Sequence, residues 1–97
     1  MSYRFHPGAE HEHFEIIGFY ESQQSGLGKA YLSEFEILMD SVANMPGRYR
    51  IERKPNIRMV SMLKFSKRII FRGSPVAVEI LAISHKKRRP DYWLGRL

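Results

Sequence analysis

The sequence predicts an α+β fold with the element order β-α-α-β-β-β, in which a helical hairpin packs on a mostly antiparallel sheet. Two observations predict this fold. The first half of the chain places apolar residues at helical spacing, and the second half contains three short apolar runs separated by turn residues. A length of 97 residues suits one small domain, so we expect a single domain over residues 1–97.

Residues 3–5 predict a short first strand, after which Pro7 opens a helix that we expect to end near Gln24. Proline suits the first helical position, because its missing N–H would have no helical partner there. We expect Gly26 to cap the end of this helix. The apolar stripe of the helix is formed by Ala9, His13, Ile16, Ile17 and Tyr20.

The second predicted helix runs from Leu27 to Asn44 and has the most regular apolar pattern in the chain. Pro46 and Gly47 then end the helix, and the short link to the first helix predicts an antiparallel hairpin. The apolar residues recur at intervals of four, four, three, four and three, at Leu27, Tyr31, Phe35, Leu38, Val42 and Met45.

The rest of the chain predicts three strands, over residues 57–63, 67–72 and 76–84. Residues 48–56 are polar and irregular, and no strand is predicted there. Gly73-Ser74-Pro75 predicts a tight turn. The last strand is apolar on both faces apart from Glu79, which predicts a central position in the sheet.

Charge is distributed unevenly along the chain. Residues 1–47 carry two cations and seven acids, whereas residues 48–97 carry fourteen cations and three acids, so the two parts have net charges of −5 and +11. A basic surface of this kind attracts nucleic acid, an acidic protein or an anionic membrane surface, although solvated surface charge is an equally simple interpretation. The absence of cysteine excludes disulfides and thiolate metal sites. No apolar run is long enough to span a membrane, and we expect a cytoplasmic protein.

The patterns for metal and nucleotide binding are incomplete. His11 and His13 are two residues apart, so on a helix their side chains diverge by about 200° rather than sharing a face. The segment Gly26-Leu27-Gly28-Lys29 lacks the full spacing of a phosphate-binding loop. We therefore expect neither a metal nor a cofactor.

The C-terminal residues form the most distinctive candidate site. An apolar strand leads to His85, four consecutive cations, Pro90, and the aromatic pair Tyr92 and Trp93. No nucleophile–histidine–acid set is evident, so no catalytic residue is predicted. In a metal-free ribonuclease, Lys64, Lys67, Arg68, His85, Arg88 and Tyr92 could supply the groups that act on RNA. The simpler alternative is that the cations are solvated while the aromatic pair folds back on the sheet.

Several segments, taken together and in order, resemble the ParE-like toxins of the RelE/ParE superfamily. They span nearly the whole chain: Phe5-His6-Pro7, Glu10, Glu12, Tyr20-Glu21, Gly26-Leu27-Gly28, Tyr31, Glu34-Phe35, Asn44-Met45-Pro46, Arg48-Tyr49, Arg58, Phe65-Ser66-Lys67-Arg68-Ile69, Leu81-Ala82-Ile83-Ser84-His85, Arg88-Arg89 and Tyr92-Trp93. Two departures stand out. Ser66-Lys67 replaces the Pro-Tyr of many relatives, and Gly8 stands where relatives carry a better helix former.

The resemblance implies the toxin of a bacterial type II toxin–antitoxin module, such as a plasmid stabilisation system. A cognate ParD-like antitoxin would neutralise it by wrapping along the helices and sheet, with contacts expected at Tyr31, Phe35 and Leu38. Studied ParE relatives are implicated in blocking DNA gyrase, whereas RelE relatives cut messenger RNA on the ribosome. We expect a binding inhibitor of gyrase, and a RelE-like endoribonuclease is the alternative. The expected target-binding residues are Arg68, His85, Lys86, Lys87, Arg88, Arg89, Tyr92 and Trp93.

Overall fold

A computed structural model describes residues 2–73, 76–89 and 91–97 of the chain. The elements are strand β1 (Ser2–Phe5), helices α1 (Pro7–Gln23) and α2 (Leu27–Asn44), and strands β2 (Arg50–Arg53), β3 (Ile57–Ser61), β4 (Lys67–Gly73) and β5 (Ala77–His85). The predicted α+β class and the helical hairpin are confirmed. Ser74 and Pro75 of the predicted turn lie outside the described residues.

The strands form one sheet in the order β1-β5-β4-β3-β2. β1 runs parallel to β5, and the other neighbouring pairs are antiparallel, so the sheet is mixed. The prediction that residues 48–56 contain no strand is wrong, because β2 pairs with β3 there. An edge strand that carries charged residues has no apolar alternation to reveal it in the sequence. Among the described residues, no helix has both the length and the apolar character needed to cross a membrane.

The ends of the helices are held by specific contacts. The Gly8 backbone N–H donates to His6 Nδ1 at 3.0 Å, so His6 caps α1. Gly26 has a φ of 89° and precedes α2, whereas Gln24 takes the C-cap position of α1 that was predicted for Gly26. The Glu21 carboxylate accepts from the backbone N–H groups of Gly26 and Gly28, at distances of 3.0–3.1 Å, and thereby closes the hairpin.

The face of the sheet beneath the two helices, here called the inner face, carries the larger apolar cluster. α2 contributes buried side chains at helical spacing, and alternate residues of β4 and β5 meet them. Full burial of one such side chain stabilises the fold by about 1.5–3 kcal/mol. The cluster consists of Ala9, Tyr31, Phe35, Met39, Val42, Met62, Ile69, Phe71, Val78, Ile80 and Ile83.

The opposite face of the sheet, here called the outer face, carries a second and smaller cluster. The C-terminal residues 91–97, here called the tail, cover this face and bring Trp93 against the sheet. The pairing of β4 with β5 shifts between Ile70 and Phe71, which oppose Ala82 and Ile80, so Leu81 bulges out of register. The buried members of this cluster are Ile57, Ile70, Leu81, Ala82 and Trp93.

Candidate functional site

Residues 85–89, here called the basic segment, leave the end of β5 and are exposed along their whole length. The segment turns back immediately after the strand. The Lys87 backbone N–H donates to His85 Nδ1 at 3.0 Å, and the Arg88 N–H donates to the His85 carbonyl at 2.9 Å. Four consecutive cations are therefore presented from a fixed turn.

A cleft of about 190 Å³ lies beside the basic segment, between α1 and the ends of β4 and β5. Lys67 and His85 are direct cross-strand partners at its floor, and Lys67 Nζ lies 5.7 Å from the centre of the Tyr20 ring. The lining combines both signs of charge and is formed by Glu12, Glu15, Ile16, Lys67, Ile83, Ser84, His85 and Arg88. The cleft therefore presents charges of both signs to solvent.

Burial affects the protonation of Lys67. Partial desolvation lowers the pKa of its ammonium group, because a charged group loses hydration when it is covered by protein. Of the acids in the cleft, Glu15 is 3.0 Å from His11 Nε2 on an exposed part of α1. Glu12 is bound by Arg96 of the tail, with Nη1 and Oε1 3.0 Å apart.

The aromatic pair of the tail differs in exposure. Trp93 is only 2% exposed and packs in the outer cluster, whereas Tyr92 is half-buried and lies under Arg88. Arg88 Cζ is 3.9 Å from the centre of the Tyr92 ring, which is a close cation–π contact. Burial is the main cause that raises the pKa of Tyr92, so its ring stays neutral.

The expected target-binding residues fall on different parts of the molecule. His85 and Arg88 line the cleft, and Lys86, Lys87 and Arg89 are exposed beside it. Arg68 alternates with Lys67 on β4, so its side chain lies on the outer face rather than in the cleft. Trp93 is buried, and a target could touch the indole only after the tail had left the sheet.

The residues expected to contact an antitoxin are mostly core residues. Tyr31 and Phe35 are both 0% exposed, so a partner cannot reach their side chains in this structure. Both lie on the stripe of α2 that faces the sheet, and helical periodicity alone cannot distinguish a core stripe from a binding stripe. Leu38 is half-buried and lines a small surface pocket of about 150 Å³ with Ile37 and Leu63.

An apolar groove of about 590 Å³ adjoins that pocket, between α2 and the loop that joins β3 to β4. Leu63 is 95% exposed and Ile37 is 70% exposed, although both are large apolar side chains. The groove is lined by Leu27, Ala30, Ser33, Glu34, Ile37, Leu63, Lys64 and Phe65. Exposed apolar side chains beside a groove are typical of a protein-binding surface.

Glu34 fixes the shape of this groove. Its carboxylate accepts from the Leu63 backbone N–H at 2.7 Å and from the Lys64 N–H at 3.2 Å. The loop is thereby held against α2 with the Leu63 side chain directed outward. The sequence did not identify the residues that line this groove, because residues 57–63 were predicted as strand and nothing local marks Leu63 as exposed.

His13 is buried on the side of α1 that faces the core, and His11 is exposed. His13 Nδ1 lies 3.2 Å from the Tyr31 hydroxyl, and the centre of its ring is 4.4 Å from the centre of the Phe35 ring. Burial lowers the pKa of His13 to about 4, so this histidine is neutral at physiological pH. Among the described residues, no three His, Asp or Glu side chains group closely enough to hold a metal ion.

Comparisons with known proteins identify relatives of the chain. A family model described as the ParE toxin of the type II toxin–antitoxin system parDE matches residues 3–90. A comparison with curated proteins gives no match. A solved structure described as the chromosomal ParDE toxin–antitoxin system from P. aeruginosa is similar in fold, with a TM-score of 0.74 and 14% identity over 88% of this chain and 95% of that chain.

Proposed function

This chain belongs to the ParE toxin family of type II toxin–antitoxin systems, and from that premise we propose that it inhibits DNA gyrase by binding and that a ParD-like antitoxin neutralises it. Both events would take place in the bacterial cytoplasm, where gyrase acts on DNA. The observation that carries the proposal is the exposed basic segment, which is held in a fixed turn beside a polar cleft.

The proposed gyrase-binding surface consists of the basic segment together with Tyr92. The four cations of the segment would speed the encounter with an acidic surface of gyrase or with the phosphates of gyrase-bound DNA. Arg88 would be the central contact, because its stacking on Tyr92 reduces the conformational freedom that it loses on binding. Trp93 would support this surface from beneath rather than contact the target.

A supercoiling assay with purified gyrase tests the surface. We expect Arg88→Ala combined with Arg89→Ala to raise the inhibitory concentration by at least about tenfold. Arg53→Ala combined with Lys54→Ala is the matched control, because it removes the same charge from exposed positions at the far edge of the sheet. If both double variants lost the same amount of inhibition, net charge rather than this surface would determine the activity. If the Arg88 and Arg89 variant inhibited as well as the wild-type chain, the proposed surface would be wrong.

The proposed function also predicts how cells that express the chain should grow. Expression of the chain alone would arrest growth with filamentation and intact transcripts, and co-expression of the neighbouring antitoxin gene would restore growth. An arrest that persisted when gyrase was present in an inhibitor-resistant form would point to another target.

The apolar groove along α2 is the proposed docking site for the antitoxin. An amphipathic helix could place its apolar side chains between Ile37 and Leu63, where both side chains are already exposed. This proposal replaces Tyr31 and Phe35, which are buried, and retains Leu38 at the end of the groove. The antitoxin would then cover apolar surface that is otherwise in contact with water.

A binding assay with the purified antitoxin tests the groove. We expect Leu63→Asp to weaken antitoxin binding by about tenfold or more, because a carboxylate would be buried without a partner in the complex. Val76→Asp is the matched control, since Val76 is 75% exposed and lies outside the groove. If both substitutions left the affinity unchanged, the antitoxin would bind elsewhere.

The alternative function, cleavage of messenger RNA on the ribosome, is favoured by one observation. The cleft pairs Lys67 and His85 across the strands and places Arg88 and two carboxylates around them. These groups could exchange protons with RNA and stabilise its phosphate. Cleaved transcripts in expressing cells, abolished by His85→Ala, would support this function over gyrase inhibition.

A further inference from the structure

The β5 strand is longer than the β1 strand that pairs with it, so backbone groups at the end of β5 need hydrogen-bond partners other than β1. The pairing ends where Phe5 meets Ile80, whereas β5 continues to His85. Beyond that point the Ile83 backbone N–H donates to Glu12 Oε1 at 3.0 Å. The carbonyl of Leu81, the bulged residue, accepts from Arg96 Nη1 at 2.9 Å. Side chains of α1 and the tail thus replace the missing strand.

Arg96 and Glu12 also bind each other directly. The guanidinium and the carboxylate form two parallel contacts, Nη1–Oε1 at 3.0 Å and Nη2–Oε2 at 3.1 Å. Their side chains are 20% and 12% exposed. A bidentate pair that is largely shielded from water is among the stronger side-chain interactions, so it fixes the tail to α1.

Gly8 makes room for this ion pair. A Cβ atom at position 8 would lie 2.7 Å from both Cζ and Nε of Arg96. The obstructing atoms belong to a side chain, so a larger residue would displace the guanidinium rather than the backbone. This explains why glycine, a poor helix former, stands near the beginning of α1.

The ion pair is connected to the basic segment through Tyr92. Arg88 Cζ is 3.9 Å and Arg96 Cζ is 5.2 Å from the centre of the Tyr92 ring. Glu12 also lines the cleft, together with Arg88. A movement of Arg96 would therefore remove one of the contacts that hold the ring on which Arg88 rests.

We propose that Arg96 and Glu12 are positioning residues that hold Arg88 in place through Tyr92, and that Gly8 is required for this arrangement. The inference rests on the proposed function for its biological meaning, because Arg88 is the central contact there. Arg96 lies beyond residues 3–90 that the family model matches.

A stability cycle tests the role of Gly8. We expect Gly8→Ala to lower the thermal midpoint in the wild-type chain and to raise it, by about a few degrees, in an Arg96→Ala background where only the gain in helix propensity remains. Trp93 is the only tryptophan, so quenching of its fluorescence reports release of the tail in the same samples. The same change in midpoint in both backgrounds would overturn the coupling of Gly8 to Arg96.

Nuclear magnetic resonance tests the positioning of Arg88 without reference to activity. The side-chain protons of Arg88 should be shifted upfield by the Tyr92 ring, and Arg96→Ala should return them to unstructured values. Arg96→Lys should preserve part of the shift, because a single ammonium cannot form both contacts to Glu12. Arg53→Ala is the control for loss of charge. Unchanged Arg88 shifts in Arg96→Ala would overturn the inference.

A double-mutant cycle in the gyrase assay completes the test, at a temperature well below the midpoint of each variant. We expect Arg96→Ala to weaken inhibition by about fivefold or more in the wild-type chain and by less than about twofold once Arg88→Ala is present. Additive effects would mean that Arg96 does not act through Arg88. Failure of the wild-type chain to inhibit gyrase would refute the proposed function alone, since the resonance experiment decides the positioning role independently.

Discussion

The two faces of the sheet are covered in different ways. The inner face is covered by two helices that together bury aromatic and aliphatic side chains from many positions of the chain. The outer face is covered by a tail of seven described residues with one buried side chain, Trp93, and one ion pair, between Arg96 and Glu12. Many apolar contacts hold the helices on the inner face, whereas a few specific contacts hold the tail on the outer face.

On the proposed function, stability and activity depend on different parts of this chain. The inner face can fix the fold because the loss of one side chain leaves most of its cluster in place. The basic segment instead adjoins the covering that depends on few contacts, and Arg88 rests on Tyr92 of that covering. We therefore expect its conformation to be sensitive to single residues of the tail. We expect substitutions on the inner face to change the stability of the whole fold, and those in the tail to act mainly on the tail and on the basic segment beside it.

The largest effect is expected from Phe35→Ala on the inner face. Phe35 is 0% exposed and packs against the rings of Phe5, His13 and Tyr31. Its truncation should lower the free energy of unfolding by about 3–5 kcal/mol, measured by denaturant titration. Ile37→Ala, at a 70% exposed position of the same helix, should change it by less than about 0.5 kcal/mol. Similar losses from both variants would contradict the assignment of the core.

Trp93→Ala should lower the free energy of unfolding by about 3 kcal/mol. This is the lower end for a buried aromatic residue, because the outer cluster is thin and water can enter after truncation. The location of the effect in the chain distinguishes the two faces better than its size does. Amide hydrogen exchange should increase throughout residues 91–97 while α2 keeps its protection. Equal loss of protection in α2 would show that both faces unfold as one cooperative unit.

Acid should lower the stability of the fold by protonating His13, which is buried on the inner face. Its pKa is about 4 in the folded chain and 6.5 for the ordinary imidazole, so the unfolded chain binds more protons between these values. Stability is therefore lost as the pH falls from about 6.5 to 4, by roughly 3 kcal/mol in total. Denaturant titrations at several pH values should show less of this loss in His13→Phe, whereas His11→Gln, at an exposed position, should behave like the wild-type chain.

The inner face could be predicted from the sequence because its pattern is local. The residues Tyr31, Phe35 and Val42 recur at helical spacing, and all three are buried. The same pattern also suggested Tyr31 and Phe35 as antitoxin contacts. Periodicity identifies which residues share a face, and only the packed structure determines whether that face meets the sheet or a partner.

The contacts that form the outer face and the groove could not be predicted, because they are not local. Glu12 and Arg96 are separated by 84 positions, and nothing near either residue indicates the other. Two interpretations of the aromatic pair were open, and the structure places Trp93 on the sheet. Leu63 is exposed because its own backbone N–H and that of Lys64 donate to the Glu34 carboxylate, 29 and 30 positions earlier in the chain.

The smallest effect on stability is expected from Leu63→Ser, at the rim of the inner face. At 95% exposure this side chain gains little from folding, so the free energy of unfolding should change by less than about 0.5 kcal/mol. Its backbone N–H would still donate to Glu34, so the loop should keep its shape. Antitoxin binding should nevertheless weaken measurably in a calorimetric titration, because the groove loses apolar surface that the complex would bury. A variant that lost stability but bound the antitoxin normally would place Leu63 in the core of the inner face rather than on its binding rim.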